Sequence, residues 1–294
     1  INIVINTEPE GFAHSSYLMH GTSVCDLGLK VEDAAATVER ARALGADLFA
    51  QPVGPGELNI PAIRGVGGGV MHFIDDHSEL GRVWEIEFRP VEDGAEPDEV
   101  GLVAIDHIAQ TMRYEEMLTW LLFYTSIFRT HKTPMVDVVD PDGLVRSQVI
   151  ENAEGSLRVT LNGAENRRTL AGRFMTESFG SAVQHIAFRS DDIFATWEKL
   201  SAGGFRPLDI SPNYYDDIEA RFSLDEELLE RLRAANILYD RDDNGEYFQL
   251  YSPNYGEGFF FEIVERRGGY AGYGAANAQF RIAAKKHALG DQPE

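Results

Sequence analysis

The chain has 294 residues, 44% of them hydrophobic, enough for one large domain or two of ordinary size with real cores. Its 48 acidic and 26 basic side chains give a net charge of −22, a field that repels phosphate backbones and anionic lipid surfaces. Nucleic acid and membrane are therefore not expected as partners. The most apolar stretch, residues 117–128, is far short of a spanning helix and no signal peptide is visible, while the single Cys25 allows no intrachain disulfide and fits a cytoplasmic location.

In chain order, Ile1-Asn2-Ile3-Val4-Ile5-Asn6 alternates as a strand does. A strand with nothing leading into it is expected of a chain that continues upstream, so the sequence reads as part of a longer protein. Val24-Cys25-Asp26-Leu27-Gly28-Leu29 is the next strand, and Val31-Glu32-Asp33-Ala34 opens a helix that runs to Ala46, with Gly45 near its end. The loop Gly65-Val66-Gly67-Gly68-Gly69 lacks the Lys-Ser/Thr and the following helix of a phosphate cradle, and reads as a tight turn into Val70-Met71-His72-Phe73-Ile74. Val83-Trp84-Glu85-Ile86-Glu87-Phe88 reads as a further strand.

The acidic, Pro- and Gly-containing residues 91–101 read as a linker. They divide 1–90, an incomplete structural half without metal, from 102–294, a metal-binding half. There Ala104-Ile105-Asp106-His107-Ile108-Ala109 precedes a helix over 114–128, and strands follow at 144–150 and Leu157-Arg158-Val159-Thr160-Leu161-Asn162. Ala182-Val183-Gln184-His185-Ile186-Ala187-Phe188 leads to a helix capped by Ser190 or Asp191. Its buried stripe is Ile193, Trp197 and Leu200, and Gly203-Gly204 stops it. Residues 224–235 read as an inserted helix. Asp243-Asn244-Gly245 is a hairpin turn into Tyr247-Phe248-Gln249-Leu250-Tyr251, and Phe259-Phe260-Phe261-Glu262-Ile263-Val264 is the final strand.

The strands at 24, 104 and 182 each lead into a helix, and residues 1–6 resemble 157–162, so a repeat runs through the chain with its first copy incomplete. A single strand–helix–strands unit cannot bury both faces of its sheet. The expected fold class is α+β: paired βαβββ modules forming open β-barrels, in two pseudo-repeated halves, the first truncated at its N-terminus.

His107 and His185 occupy the same place in two copies, each followed by Ile-Ala, and Glu262 sits in an otherwise apolar strand. A lone strand histidine is more often a hydrogen-bonded core residue than a ligand. Two at equivalent positions, with a carboxylate that is costly to bury unpaired, shift the reading to one divalent metal ion. Two imidazoles and one carboxylate leave open coordination positions, the ligand set of non-haem Fe(II) oxygenases and also of catalytic Zn²⁺. In the first half the matching positions hold Asp26 and His72, while His14, His20, His77, His131 and His287 lack such a context.

Asp106-His107-Ile108, Val183-Gln184-His185-Ile186-Ala187 and Phe260-Phe261-Glu262-Ile263 resemble the motifs of 4-hydroxyphenylpyruvate dioxygenase, of the vicinal oxygen chelate superfamily. So do Ile60-Pro61-Ala62-Ile63-Arg64-Gly65, Tyr214-Tyr215-Asp216-Asp217 and Gly272-Tyr273-Gly274-Ala275-Ala276-Asn277. The resemblance covers most of the chain. It implies metal ligation by His107, His185 and Glu262, a 2-oxo acid substrate chelating the ion, substrate contacts at Ser147, Asn162 and Gln249, and a closing helix after Asn277. Three departures are Ala278 where the family stacks an aromatic residue on the substrate ring, a family glutamine replaced near Leu170, and Tyr251 in place of Phe. Loss of the stacking ring removes about 0.5–1.5 kcal/mol beyond its buried area, which points away from hydroxyphenylpyruvate.

Residues 266–277 look closer still to the C-terminal half of bacterial two-domain 3-dehydroshikimate dehydratases, which turn 3-dehydroshikimate into protocatechuate at a site on an N-terminal barrel. The resemblance implies a metal-binding domain (Fe²⁺, Mg²⁺ or Mn²⁺) of such a lyase, with a small 2-oxo acid or aromatic precursor as ligand, a barrel partner and room for a homo-oligomer. Two alternatives are an Fe(II)-dependent 2-oxo acid dioxygenase and a metal-free oligomerisation or binding module. Neither motif nor spacing identifies a catalytic residue.

Overall fold

The computed structural model describes residues 1–90 and 99–290. Residues 1–8 carry no regular structure, so the opening strand does not form. Alternation alone is not enough: a strand needs a neighbour for its backbone groups and a core for its apolar face, and Ile1, Ile3 and Ile5 remain exposed. Helix α1 (Gly11–His20) follows, and then one βαβββ unit: β1 (Asp26–Lys30), α2 (Ala34–Ala43), β2 (Leu48–Phe49), β3 (Ala62–Arg64) and β4 (Val70–Ile74). Its strands lie in the order β1-β4-β3-β2. Asp33 caps α2 by accepting the Ala36 N–H, and Ala34 and Ala41 pack beside Ile63 and Phe73.

The glycine loop is the tight turn its sequence indicates. Gly67 has φ +65°, and a Cβ there would collide with the carbonyl oxygen of Ser181, so only glycine lets this unit approach the neighbouring sheet so closely. The strand expected at 83–88 is instead α3 (Val83–Ile86). A 3-10 turn over Glu79–Arg82, capped by Ser78, runs straight into it and sets a helical phase. Trp84 and Phe88 then meet at 4.9 Å between ring centroids, the i, i+4 contact of a helix.

Residues 91–98 of the linker expected at 91–101 lie outside the described residues. Beyond it come β5 (Leu102–Arg113), α4 (Tyr114–Ile127), β6 (Thr130–Lys132), β7 (Val136–Asp140), β8 (Gly143–Asn152), β9 (Arg158–Ala164) and α5 (Leu170–Glu177). The last part is β10 (Ala182–Ser190), α6 (Ile193–Ala202), α7 (Pro212–Phe222), α8 (Glu226–Ala235), β11 (Leu238–Arg241), β12 (Gly245–Tyr251), β13 (Phe260–Gly268) and α9 (Ala278–Gly290). The inserted α8 and the hairpin before β12 are as expected, whereas α7 is not foreshadowed by the sequence reading. Asp192, rather than Ser190 or Asp191, caps α6 through the Phe194 and Ala195 N–H groups, and Ser190 Oγ in turn accepts the Asp192 N–H.

These strands form one curled sheet in the order β11-β12-β13-β10-β5-β9-β8-β6, with β7 paired to β8. At its centre β5 and β10 are antiparallel, and each has a parallel partner outside it, β9 for β5 and β13 for β10. Equivalent positions of the two modules therefore face one another across the β5–β10 seam. One core lies beneath α6, α7 and α8, around Tyr214, Tyr239 and Phe248. A second forms where Met117, Leu121 and Tyr124 of α4 pack against Ile63 and Phe73 of the first unit. Arg40 fastens this contact by donating to the Ser126 and Ile127 carbonyls at the end of α4. No helix among the described residues is long and apolar enough to cross a membrane.

Candidate metal centre

The pairing of three strands brings the sequence-selected ligands together. His107 on β5 and Glu262 on β13 both pair with Ala187 of β10, while His185 of β10 pairs with Ala109 of β5. Each alanine of the repeated His-Ile-Ala thus sits opposite the other module's ligand.

His185 Nε2 lies 3.3 Å from His107 Nε2. Glu262 Oε2 lies 3.2 Å from His185 Nε2 and 3.5 Å from His107 Nε2. All three residues are buried, at 5%, 6% and 2% exposure for His107, His185 and Glu262. An ion bonded at about 2.0–2.2 Å to adjacent donors holds those donors roughly 3 Å apart. The triad already has that spacing, and among the described residues it is the one group of three such side chains that could hold a metal.

A layer of polar groups behind the ligands fixes their aim. Asp106 and Gln184, the residues just before the two histidines, are each left without a partner in the β5–β10 ladder, so a bulge precedes each ligand. The first bulge turns Asp106 back so that its carboxylate accepts from His107 Nδ1 at 2.9 Å. That contact leaves the His107 Nε2 lone pair for an ion. Arg266 clamps the same carboxylate through Nε at 2.8 Å and Nη2 at 2.9 Å. The second bulge turns Gln184 into the cleft, where Thr111 donates to it. The Gln249 amide donates to Glu262 Oε1 at 2.9 Å and to the Tyr251 hydroxyl at 2.6 Å, and its oxygen accepts from Asn277 at 2.8 Å.

Sequence reasoning missed Asp106, Gln184 and Arg266. The residue before the repeated histidine is polar in both copies, whereas Arg266, between Glu265 and Arg267 at the charged end of β13, carried no such signal. Of the three expected substrate contacts, Gln249 has its amide directed to Glu262, Tyr251 and Asn277. Asn162 lines an open cleft between the sheet and α9, and Ser147 pairs with Asn162 across β8 and β9 and so shares its face. Ala278 is buried at the head of α9. In the first unit His72 pairs with Gly28 as Glu262 does with Ala187, and Asp26 stands where His185 does. The two hydrogen-bond to each other at 2.9 Å, with ligand types exchanged and no third member among the described residues.

Burial opposes the charge on all three ligands, and their contacts set the balance. Burial holds His185 down, to about 4. Burial alone would lower His107 too, but its hydrogen bonds to Asp106 and Glu262 raise it above the ordinary imidazole value. Glu262 is held well below the carboxylate range because the two histidines outweigh its burial. An ion on His107 must therefore compete with a proton that these hydrogen bonds favour. Metal binding is expected to release protons, and affinity to rise with pH because higher pH removes the competing proton. Calorimetry in two buffers of different ionisation heat measures this; identical heats in both would refute it.

Residues 1–89 match the hydroxyphenylpyruvate dioxygenase N-terminal family, and residues 104–243 match the glyoxalase/bleomycin resistance protein/dioxygenase superfamily. A 4-hydroxyphenylpyruvate dioxygenase from Pseudomonas aeruginosa is 31% identical over 280 residues, covering 94% of this chain and 78% of that one. The chain belongs to the 4-hydroxyphenylpyruvate dioxygenase family. Within this family's reach lies a 3-dehydroshikimate dehydratase from Pseudomonas aeruginosa, 42% identical over 289 residues, which span 98% of this chain and 45% of that protein. A solved structure described as a xylose isomerase-like TIM barrel/4-hydroxyphenylpyruvate dioxygenase fusion protein superposes with a TM-score of 0.81 at 39% identity, over 96% of this chain and 44% of that one. The chain thus spans less than half the length of these last two relatives.

Proposed function

We propose that this chain is the divalent-metal-binding, hydroxyphenylpyruvate-dioxygenase-like part of a cytoplasmic 3-dehydroshikimate dehydratase. One Fe²⁺, Mg²⁺ or Mn²⁺ would sit on His107, His185 and Glu262, and the dehydration site would lie on a barrel outside this sequence. The observation that carries the metal reading is the buried triad, with its ligand atoms within 4.8 Å of one another. The dehydratase assignment draws on the 42% identity along nearly the whole chain. We read residues 1–90 as a structural half and residues 102–294 as the metal-binding half.

A bound ion would supply a Lewis acid with open positions for a chelating acid. The chain's own residues do the rest. Asp106 holds the Nδ1 proton of His107, and Gln249 fixes the rotation of the Glu262 carboxylate. Asn162 and Ser147 offer polar contacts on the cleft wall, and α9 closes over it. The intact triad also favours a second reading, an Fe(II)-dependent 2-oxo acid dioxygenase.

Oxygen uptake by the anaerobically Fe²⁺-loaded chain, with 4-hydroxyphenylpyruvate and related 2-oxo acids, separates the two. Full metal occupancy with no turnover-linked uptake is expected, since Ala278 offers no ring to stack on an aromatic substrate. Uptake that disappears in His185→Ala would make the chain a dioxygenase instead. Absence of any bound metal would leave only a binding or oligomerisation module.

A further inference from the structure

The cleft between the sheet and α9 is lined by two basic side chains that, among the described residues, form no ion pair. Arg281 and Lys285 stand one helical turn apart on α9, and both line the cleft. Lys285 is only 4% exposed. Its amine donates to Asn254 Oδ1 at 2.7 Å and to the Ser252 carbonyl at 3.3 Å, and lies 3.7 Å from the centre of the Phe260 ring. The Arg281 guanidinium lies 5.5 Å from the centre of Phe260 and 5.4 Å from that of Tyr251. Among the described residues neither cation is paired with a carboxylate. Lysine is almost never fully buried unless paired with a charge.

The acidic groups around the cleft are engaged elsewhere or lie at its rim. Asp140 is held by Lys286 at 2.5 Å and by the Leu170 N–H. Glu177 is exposed at the rim, as is Arg173. Glu262 faces the two histidines. Burial, reinforced by the charge of Arg281 and only partly opposed by Glu262, holds the Lys285 amine well below its ordinary value, a cost that an anion in the cleft would reduce.

Phe260 sets the spacing between cations and triad. Its ring stacks on His185 at 4.7 Å and also meets the Lys285 amine. A ligand held both by an ion on the triad and by α9 would have to reach past Phe260. At the head of the same helix Ala278 provides no ring to hold an uncharged end.

We propose that Arg281 and Lys285 form a carboxylate subsite, so that the cleft selects a small organic acid with two acidic ends, one toward the metal and one on α9. The guanidinium suits two parallel hydrogen bonds to a carboxylate, and the ammonium adds a compact second charge. This inference rests on the metal-centre reading above and names the ligand class of that centre.

The test compares 2-oxoadipate with 2-oxohexanoate, which share their oxo acid end and chain length and differ by the distal carboxylate. Calorimetry on the Mn²⁺-loaded chain reads affinity, while metal analysis reads occupancy separately. At least tenfold tighter binding of 2-oxoadipate is expected. Arg281→Leu and Lys285→Met should each reduce that preference, and together abolish it, with Mn²⁺ occupancy retained and 2-oxohexanoate still bound. Equal affinity for the two acids in a metal-loaded chain, or a preference that survives the double variant, overturns the subsite alone. A chain that takes up no Mn²⁺ overturns the underlying metal reading. Glutarate against pentanoate then tests the cations without the oxo end, and equal binding of those two overturns the subsite as well.

Discussion

Glu262→Ala is expected to abolish stoichiometric metal binding. Glu262 is the one anionic member of the triad, and without it two imidazoles remain to hold a doubly charged ion. Loss of a group that merely supports a ligand costs about 10–100-fold in affinity, so loss of a ligand should exceed that range. The metal-free variant should still unfold cooperatively, because the change removes one side chain from a sheet whose ladder is intact on both sides. Glu262→Gln keeps the volume, replaces the charged oxygen by a weaker neutral donor, and should also fail to bind. Equilibrium dialysis with metal analysis decides the matter, and full occupancy in Glu262→Ala would remove Glu262 from the site.

Asp106→Ala is expected to strike both stability and metal affinity. Its carboxylate has no exposed side-chain surface and holds Arg266, whose side chain is 11% exposed, through a two-pronged contact, with Arg158 at 3.6 Å. Although burial disfavours the charge, His107 and Arg266 hold the Asp106 carboxyl well below the ordinary range, so it is ionised throughout the neutral region. Removing one partner of a buried pair leaves the other without compensation, typically at about 3–5 kcal/mol. Arg266 keeps the Gly272 carbonyl and the faces of Tyr247 and Tyr273, which puts the expected loss near the lower end, about 3 kcal/mol. Without an acceptor for its Nδ1 proton, His107 is free to change tautomer or turn, and affinity should fall roughly 10–100-fold. Urea unfolding of the metal-free chain measures the first effect and calorimetry the second. Unchanged values in both would make Asp106 a bystander.

Much of this site was legible because it follows from repetition. Equivalent histidines in two copies of one strand motif face each other when the copies pair antiparallel, and Glu262 stood out as a charge in an apolar run. The helices at 34, 114 and 193 were legible from their periodicity. What the sequence hid was set by partners distant along the chain. Residues 1–6 alternate like a strand and find no neighbour, while residues 83–88 alternate and become helical because the preceding capped turn sets their phase. The roles of Asp106 and Gln184 depend on bulges, which arise only when two particular strands pair. The hydrogen bond from the Gln249 amide to Glu262, which the family motif does not announce, arises only once β12 pairs with β13. Arg281 and Lys285 fall in register with the buried Ala278 and Ile282, a placement visible only once the buried face of α9 is known.

The most direct test of the central claim is the position of the ion itself, read by anomalous diffraction from crystals of the Mn²⁺-loaded chain. A single strong peak about 2.0–2.3 Å from His107 Nε2, His185 Nε2 and a Glu262 carboxylate oxygen is the predicted result. A peak at Asp26 and His72, or none within reach of the triad at full Mn²⁺ loading, would contradict it.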